Sequence, residues 1–336
     1  MTKALGRAAT IEDVARAAGV SRAAVSKVLR DAYGVSSAMR EKVNAAIEEL
    51  DYRPRLAARA MRGRSYTIGI EIPDFGNQFF TRVLEGASSA LSESNYQLMI
   101  APAEPGEREG FLALEALLDR QVDAMIAVSP RVAESELERI AGSTPVVMFG
   151  RHDTSEAYDT VAGNDTAGAI AIMQHLLGLG HQRIAHMSLE EPATLPGTPH
   201  GIRLKVYLEQ MKAAGLSHET SITRSGDGDA SAALAAAELL AGADRPTAIF
   251  AAHDTLALGA LRAAMEMRID VSVAGYDGIP IASHPRLDLT TASQPGFEMG
   301  ERAARMLLER LAGRREALHE VFEPTLEVRG STRPIV

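Results

Sequence analysis

Thr10-Ile-Glu-Asp-Val-Ala-Arg-Ala-Ala-Gly-Val-Ser-Arg-Ala-Ala-Val-Ser-Lys-Val-Leu29 is the stretch from which the architecture of this chain can be read. Ile11, Val14, Ala15 and Ala18 recur at helical spacing, so a first short helix has one apolar face. Thr10 is placed to cap it, and Glu12 and Asp13 suit the positive end of a helix dipole. Gly19 permits the left-handed backbone of a sharp stop, and Ser21 caps the helix that follows. On that second helix Val25, Val28 and Leu29 turn inward, leaving Arg22, Ala23, Ser26 and Lys27 outside. Two short helices meeting at a tight Ala18-Gly19-Val20 corner form a helix-turn-helix, whose second helix is built to lie in a DNA major groove.

Charge is distributed to match. The 336 residues carry a net charge of −9, yet residues 1–64 hold 13 basic against 7 acidic side chains, net +6, leaving net −15 for the remainder. A cationic head attracts phosphates while an anionic body discourages indiscriminate adhesion. Cysteine is absent, which excludes disulfides and thiolate metal sites. Neither an apolar leader nor an apolar run of membrane-spanning length is present, so a cytoplasmic protein with no membrane contact is expected.

Ser36 or Ser37 caps a third helix whose apolar face is Met39, Val43, Ala46, Ile47 and Leu50, completing a small head over residues 1–53. Residues 54–64 follow as an arginine-rich linker. Pro54 can open a short helix there and Gly63 can end it, but such a helix needs a partner to hold it. From Thr67 the pattern becomes an alternation of apolar strands and amphipathic helices. Predicted strands include 67–73, 96–101, 124–128, 145–149, 183–187, 248–251 and 271–276; predicted helices include 79–93, 107–119, 134–141, 165–179, 201–214, 230–241 and 254–267. Such alternation implies doubly wound parallel sheets, and two runs of it imply two lobes with a ligand cleft beyond the carboxyl ends of the strands. The expected division is lobe one over about 65–163 plus 292–322 and lobe two over about 164–291 plus 323–336.

At this point the chain resembles the LacI/GalR family of bacterial transcription regulators. The likeness is carried by Thr10–Leu29, Glu48-Glu49-Leu50-x-Tyr52-x-Pro54, Ile72-Pro73-Asp74, Asn77-x-Phe79-Phe80, Gly180-His181-x-Arg183-Ile184, Asp254-x-x-Ala257-Leu258-Gly259-Ala260, Val271-Ser272-Val273-x-Gly275-Tyr276-Asp277 and Gln294-Pro295. The resemblance implies a homodimer that reads a pseudo-palindromic operator in double-stranded DNA, with a periplasmic-binding-protein-like core that senses a small metabolite, often a sugar. It places Arg22, Ala23 and Lys27 at base edges, with Thr10, Ser21, Ser26 and Arg30 nearer the phosphates. Arg22 presents a fork to guanine O6 and N7, whereas Lys27 stands where arginine is more usual and gives a less directional contact. Met61 occupies the place of a leucine wedge in the minor groove, with Arg59 beside the adjoining phosphates.

For the effector the resemblance implies Phe79, Phe80, Ser129, Arg151, Arg203, His253, Asp277 and Gln294, with Arg203 and Asp277 foremost. Three departures stand out. Gly150 replaces a frequent acid, His253 replaces the asparagine common before Asp254, and the loop Gly226-Asp227-Gly228-Asp229 lacks an aromatic residue. Together with the absence of Trp, these point to a smaller ligand than a typical hexose, or to a charged one that the arginines match. A sugar, polyol or sugar acid is expected. Closure of the cleft across a dimer would alter the spacing of the two linkers and so couple effector to operator.

The alternatives are few. An enzyme lacks its signatures here: no Gly-x-Ser-x-Gly elbow, phosphate-binding Gly-rich loop or Cys/His metal set is found, so neither catalysis, cofactor nor metal is expected. A solute-binding transport protein would leave residues 1–64 unexplained. A global regulator governed by a protein partner is the remaining rival. The chain ends without an appended heptad helix after Val328–Thr332, so dimers rather than tetramers are expected.

Overall fold

The computed structural model describes residues 9–29, 33–52, 64–104, 106, 110–190 and 197–335. Arg30, Arg59, Met61 and the predicted linker helix therefore lie outside the described residues. The chain divides into two compact units, Met1–Ser65 and Tyr66–Val336.

In the first unit α1 (Ile11–Ala18), α2 (Arg22–Leu29) and α3 (Ser37–Glu49) enclose Val14, Val25, Val28, Val43 and Ala46. Thr10 and Asp13 cap α1 reciprocally: the Asp13 N–H donates to Thr10 Oγ1 at 3.3 Å, and the Thr10 N–H to Asp13 Oδ2 at 2.9 Å. Gly19 ends the helix at φ +65°. Ser21 accepts from the Ala24 N–H at 3.1 Å and Ser36 from that of Met39 at 3.3 Å.

The second unit repeats one wiring twice. Its first half contains β1 (Thr67–Ile72), α4 (Gln78–Leu91), β2 (Gln97–Pro102), α5 (Phe111–Asp119), β3 (Ala124–Val128), α6 (Glu134–Ala141), β4 (Val146–Phe149) and β5 (Asp159–Gly163). The chain then crosses to α7 (Asp165–Gly178), β6 (Ile184–Leu189), α8 (Pro199–Ala213), β7 (Ser221–Ser225), α9 (Asp229–Ala241), β8 (Ala248–Ala251), α10 (Asp254–Met267), β9 (Ser272–Asp277) and β10 (Thr290–Ser293). It returns for α11 (Gly296–Leu311) and β11 (His319–Phe322), and ends in the second half with β12 (Thr325–Glu327). The sheets run β2-β1-β3-β4-β5-β11 and β7-β6-β8-β9-β10-β12. Every pairing is parallel except β10 with β12, an antiparallel edge on an otherwise parallel sheet. Of the helix expected over 107–119, residues 107–109 lie outside the described residues, and α5 runs from Phe111 after Gly110 at φ +81°. The expected helix over 201–214 starts two residues earlier, with Pro199 in its first turn and Thr198 as its cap.

Lobe one is closed by α11 lying on α4 at glycine distance. A Cβ on Gly86 would stand 1.9 Å from the Phe297 carbonyl oxygen, and one on Gly300 2.0 Å from that of Val83. The far end of α11 is held by the fully buried Asp159, which receives Arg310 at 2.8 Å and Arg314 at 2.6 Å. Those guanidinium bonds hold its carboxyl below the usual range although burial acts in the opposite sense. Gly300→Ala therefore tests the helix contact. In an open helix it would stabilise slightly, but here backbone blocks the methyl, and a loss of about 1–3 kcal/mol is expected in denaturant unfolding.

Candidate functional site

On the head, Arg22, Ala23 and Lys27 are exposed along α2 and Ser26 is half-buried. Arg22 Nη1 donates to Glu12 Oε1 at 2.9 Å, so α1 holds the guanidinium. Both partners are exposed, and a pair of this kind contributes only about 0–1 kcal/mol, which leaves the fork able to exchange Glu12 for a base. The Thr10 hydroxyl donates to Asp13 Oδ2 at 2.7 Å while accepting from the Asp13 N–H, so its side chain is committed to the cap. The Ser21 oxygen also serves a cap, but as acceptor only, which leaves its O–H to donate.

In the two-lobed unit the polar centre is Arg203, on the first turns of α8 and 3% exposed. An isolated guanidinium cannot be buried, and the structure surrounds this one. Its Nη2 stands 2.7 Å from Asp165 Oδ1 at the start of α7, and Nε donates to the same oxygen at 2.9 Å. Nη1 donates to the Ala252 carbonyl at 2.6 Å. The guanidinium carbon lies 3.6 Å from the centroid of the Tyr276 ring. Asp277 follows at 3.8 Å. Burial opposes the charge of Arg203, yet Asp165 and Asp277 raise its pKa.

Asp277 joins the lobes. Ending β9 at φ +110°, it accepts from Asn77 Nδ2 of lobe one at 3.3 Å and from Gln294 Nε2, at the return crossing, at 2.9 Å. Burial pushes its pKa up, against the favourable charge of Arg203. Asp254 lies behind it, fully buried, accepting from Thr291 Oγ1 at 2.7 Å and from the Ile279 N–H at 2.8 Å. Burial, with the neighbouring Asp277 charge, raises its pKa to about 7.

Three histidines complete this part of lobe two. His253, between β8 and α10, places Nε2 3.2 Å from Asp227 Oδ1, and its ring meets that of His200 edge-on at 5.5 Å. Burial, reinforced by Arg203 and His253, drives the His200 pKa well down. His186 is deeper, between the Tyr207 and Phe250 rings at 5.3 and 4.7 Å, and burial pushes its pKa to about 3. It is a neutral core residue. Ser188 at the end of β6 and Ser225 at the end of β7 are buried with hydroxyl oxygens that have no hydrogen-bond partner. Buried hydroxyls in native proteins are normally paired, and these two stand at strand carboxyl ends, where open α/β sheets take ligands.

The structure thus brings Arg203, Asp277 and Gln294 into one network, with His253 adjoining it through Ala252. Phe79 also lies near: it lines, with Arg82, Asp277 and Gln294, a recess at the chain crossing. It is nevertheless mostly buried, meeting Phe80 at 5.6 Å and Phe149 at 6.3 Å. The Ser129 hydroxyl donates to the Phe149 carbonyl at 3.0 Å. Arg151 stands apart from this network. Its guanidinium is engaged within lobe one by Asp153 at 2.9 Å and by the Pro130 and Val132 carbonyls at 3.2 and 3.0 Å. Since Arg203 is likewise occupied by carboxylate, neither arginine presents an unmatched charge to an anionic effector.

Sequence reasoning passed over Asp165, Asn77, Asp254, His200, Ser188 and Ser225. Asp165 and Asp254 each open a helix, where an acid ordinarily only complements the dipole. Asn77 serves as the α4 cap, accepting from the Phe79 N–H at 3.0 Å, a local role that hides its reach to Asp277. Among the described residues no cluster of three or more His, Asp or Glu is disposed to hold a metal ion, and no helix is long and apolar enough to cross a membrane.

The profile of bacterial regulatory proteins of the lacI family matches residues 10–55, and that of the periplasmic binding protein-like domain matches residues 173–332. The ribose operon repressor of Escherichia coli (strain K12) is 32% identical over 327 residues, covering 95% of each chain. Catabolite control protein A of Priestia megaterium is 31% identical over 307 residues, 89% of this chain and 91% of its own. Among solved structures, a LacI family transcriptional regulator from Enterococcus faecium with bound ribose is 28% identical, with TM-score 0.71 over 80% of this chain and 100% of that one.

Asp254 has a pH signature of definite sign. An acid whose folded pKa is raised contributes stability that is complete below its unfolded pKa, near 4, and is lost as pH rises toward the folded value of about 7. Asp254→Asn removes that titration. The stability of the natural protein relative to the variant should fall steadily between about pH 4 and 7 in parallel denaturant titrations. A difference flat with pH would contradict the buried, proton-holding carboxyl.

Proposed function

The chain belongs to the LacI family of bacterial regulatory proteins, DNA-binding transcription regulators under small-molecule control, and on that footing we propose that it is a dimeric repressor released or recruited by a neutral sugar or polyol of about pentose size. The reading rests foremost on the polar centre around Arg203. Its one buried cation is matched by Asp165 and Asp277, and Asp277 also reaches Asn77 and Gln294. A matched set of donors and acceptors at the junction of two lobes suits a ligand with many hydroxyls and no net charge. Similarity to the ribose operon repressor over nearly the full length makes ribose the first ligand to try.

In this reading Arg203, Asp277, Gln294 and His253 hold effector hydroxyls, Phe79 and Phe80 provide an apolar wall, and Ser129 and Arg151 shape the loops of lobe one. On the head, Arg22, Ala23 and Lys27 face base edges and Ser21 and Ser26 the backbone. Arg30, Arg59 and Met61 keep the phosphate and minor-groove roles that the family resemblance implies. The protein acts in the cytoplasm and catalyses no reaction.

Two measurements test this. In fluorescence anisotropy on a cognate operator duplex, Arg22→Ala should cost about 1–3 kcal/mol of specific affinity and relax preference at one guanine, while Lys27→Ala should chiefly lower the salt slope. A thermal-shift screen of ribose, other pentoses, hexoses and polyols should give a hit that alters operator affinity by about 5–150-fold and is lost in Arg203→Ala. A hit unaffected by Arg203→Ala would remove the site from the cleft. A screen with no hit among neutral metabolites would leave the protein-partner reading in its place.

A further inference from the structure

We propose that Asp227 is a specificity-determining positioning residue, which fixes the His253 ring so that one nitrogen is presented as a bare acceptor for an effector hydroxyl. The inference rests on the reading of the cleft as a sugar site and assigns a role to the Gly226-Asp227-Gly228 loop. Asp227 is half-exposed at the head of α9, whereas the His253 side chain beside it is 3% exposed. Its carboxylate oxygen stands 3.2 Å from Nε2, within ion-pair distance though not aligned as a hydrogen bond. An ionised carboxylate only accepts, so the nitrogen that faces it carries the proton. Asp227 is indeed held in its ionised form: burial opposes this, but His253 and the Gly228 N–H favour it and lower its pKa.

In the tautomer that this carboxylate favours, with the proton at Nε2, Nδ1 presents its lone pair. That atom is buried and has no hydrogen-bond partner. The neighbouring groups do not fill it. The His200 ring lies edge-on at 5.5 Å, the Asp254 carboxylate is occupied by Thr291 and Ile279, and Arg203 is occupied by Asp165 and the carbonyl of Ala252, the residue before His253. A buried imidazole acceptor without a donor is costly unless a ligand completes it. A hydroxyl donates to such a nitrogen. An ionised carboxylate has no proton to give it and would in addition approach Asp227, Asp277 and Asp165. The loop that lacks an aromatic residue thus acts through histidine chemistry, selecting for hydroxyl donors and against ionised carboxylates.

The test is a double-mutant cycle on the full-length protein, with ribose binding read by isothermal titration calorimetry. Asp227→Asn, which no longer dictates the tautomer, should weaken ribose about tenfold. In a His253→Asn background, where an amide supplies donor and acceptor without a tautomer, the same substitution should change ribose affinity less than about twofold. Equal losses in both backgrounds would show Asp227 to be a loop support only and overturn the proposal, as would an undiminished affinity in Asp227→Asn alone. Imidazole 15N shifts of the natural protein provide a readout independent of variant folding. Protonated Nε2 with unprotonated Nδ1 at His253 is expected, and the reverse tautomer overturns the assignment. If the natural protein binds neither ribose nor any other pentose, hexose or polyol, the sugar reading itself fails and this inference falls with it. Additive losses at intact ribose binding remove the positioning role alone.

Discussion

The core is organised around one buried positive charge. The Arg203 guanidinium cannot remain in the interior unless neighbours replace the water it has lost, and three elements of lobe two supply them. Asp165 comes from the first turn of α7, the Ala252 carbonyl from the end of β8, and the Tyr276 ring and Asp277 from the end of β9. Each of these elements must arrive at its position for the charge to be tolerated, so the cation specifies how α7, α8, β8 and β9 meet. Removal of one partner from such a centre is far more damaging than the net worth of the pair would indicate, because a buried charge is then left unmatched.

From Arg203 the constraint passes across the lobes through Asp277. This residue holds a backbone conformation unusual for a side chain with a Cβ, φ +110°, and turns its carboxylate toward Asn77 on one lobe and Gln294 at the crossing. Strain of this kind persists only where the surroundings over-determine it, and it concentrates at sites that bind or switch. A ligand hydroxyl that enters here competes with the Asn77 amide for the same carboxylate. In the proposed reading, binding and the relation between lobes are set by the same atoms, which is the physical requirement for an effector to bias a conformational equilibrium.

The head follows a different economy of side chains. Residues that cap its helices and residues proposed to face DNA are drawn from the same short stretch, and their hydrogen bonds differ. Thr10 is wholly engaged in a reciprocal cap with Asp13, Ser21 caps with its oxygen alone, and Arg22 rests on Glu12 by an exposed pair weak enough to be exchanged. The small apolar core of Val14, Val25, Val28 and Val43 holds α2 in place without using any residue of its outer face.

The helix-turn-helix was legible because its signals are local. Apolar spacing, a capping threonine, a left-handed glycine and a capping serine lie within twenty consecutive positions and do not depend on distant partners. The alternation that implies two parallel lobes was legible for the same reason. Strands β5, β7, β10 and β11 were passed over because they are short and carry polar residues, helix α11 was not singled out, and β12 was missed because antiparallel pairing to β10 is a matter of distant chain meeting chain. At the site the sequence named Arg203, Asp277, His253 and Gln294 as residue types, but it could not say that Arg151 turns back into lobe one, or that Asn77 crosses to Asp277 over a separation of two hundred residues. Nor could it bring Asp227 to His253. Which groups share a desolvated space decides their charge, their tautomer and their remaining hydrogen-bonding capacity. That sharing is a property of the packed tertiary structure, whereas helix ends, strand faces and the segregation of charge are written in the order of the residues.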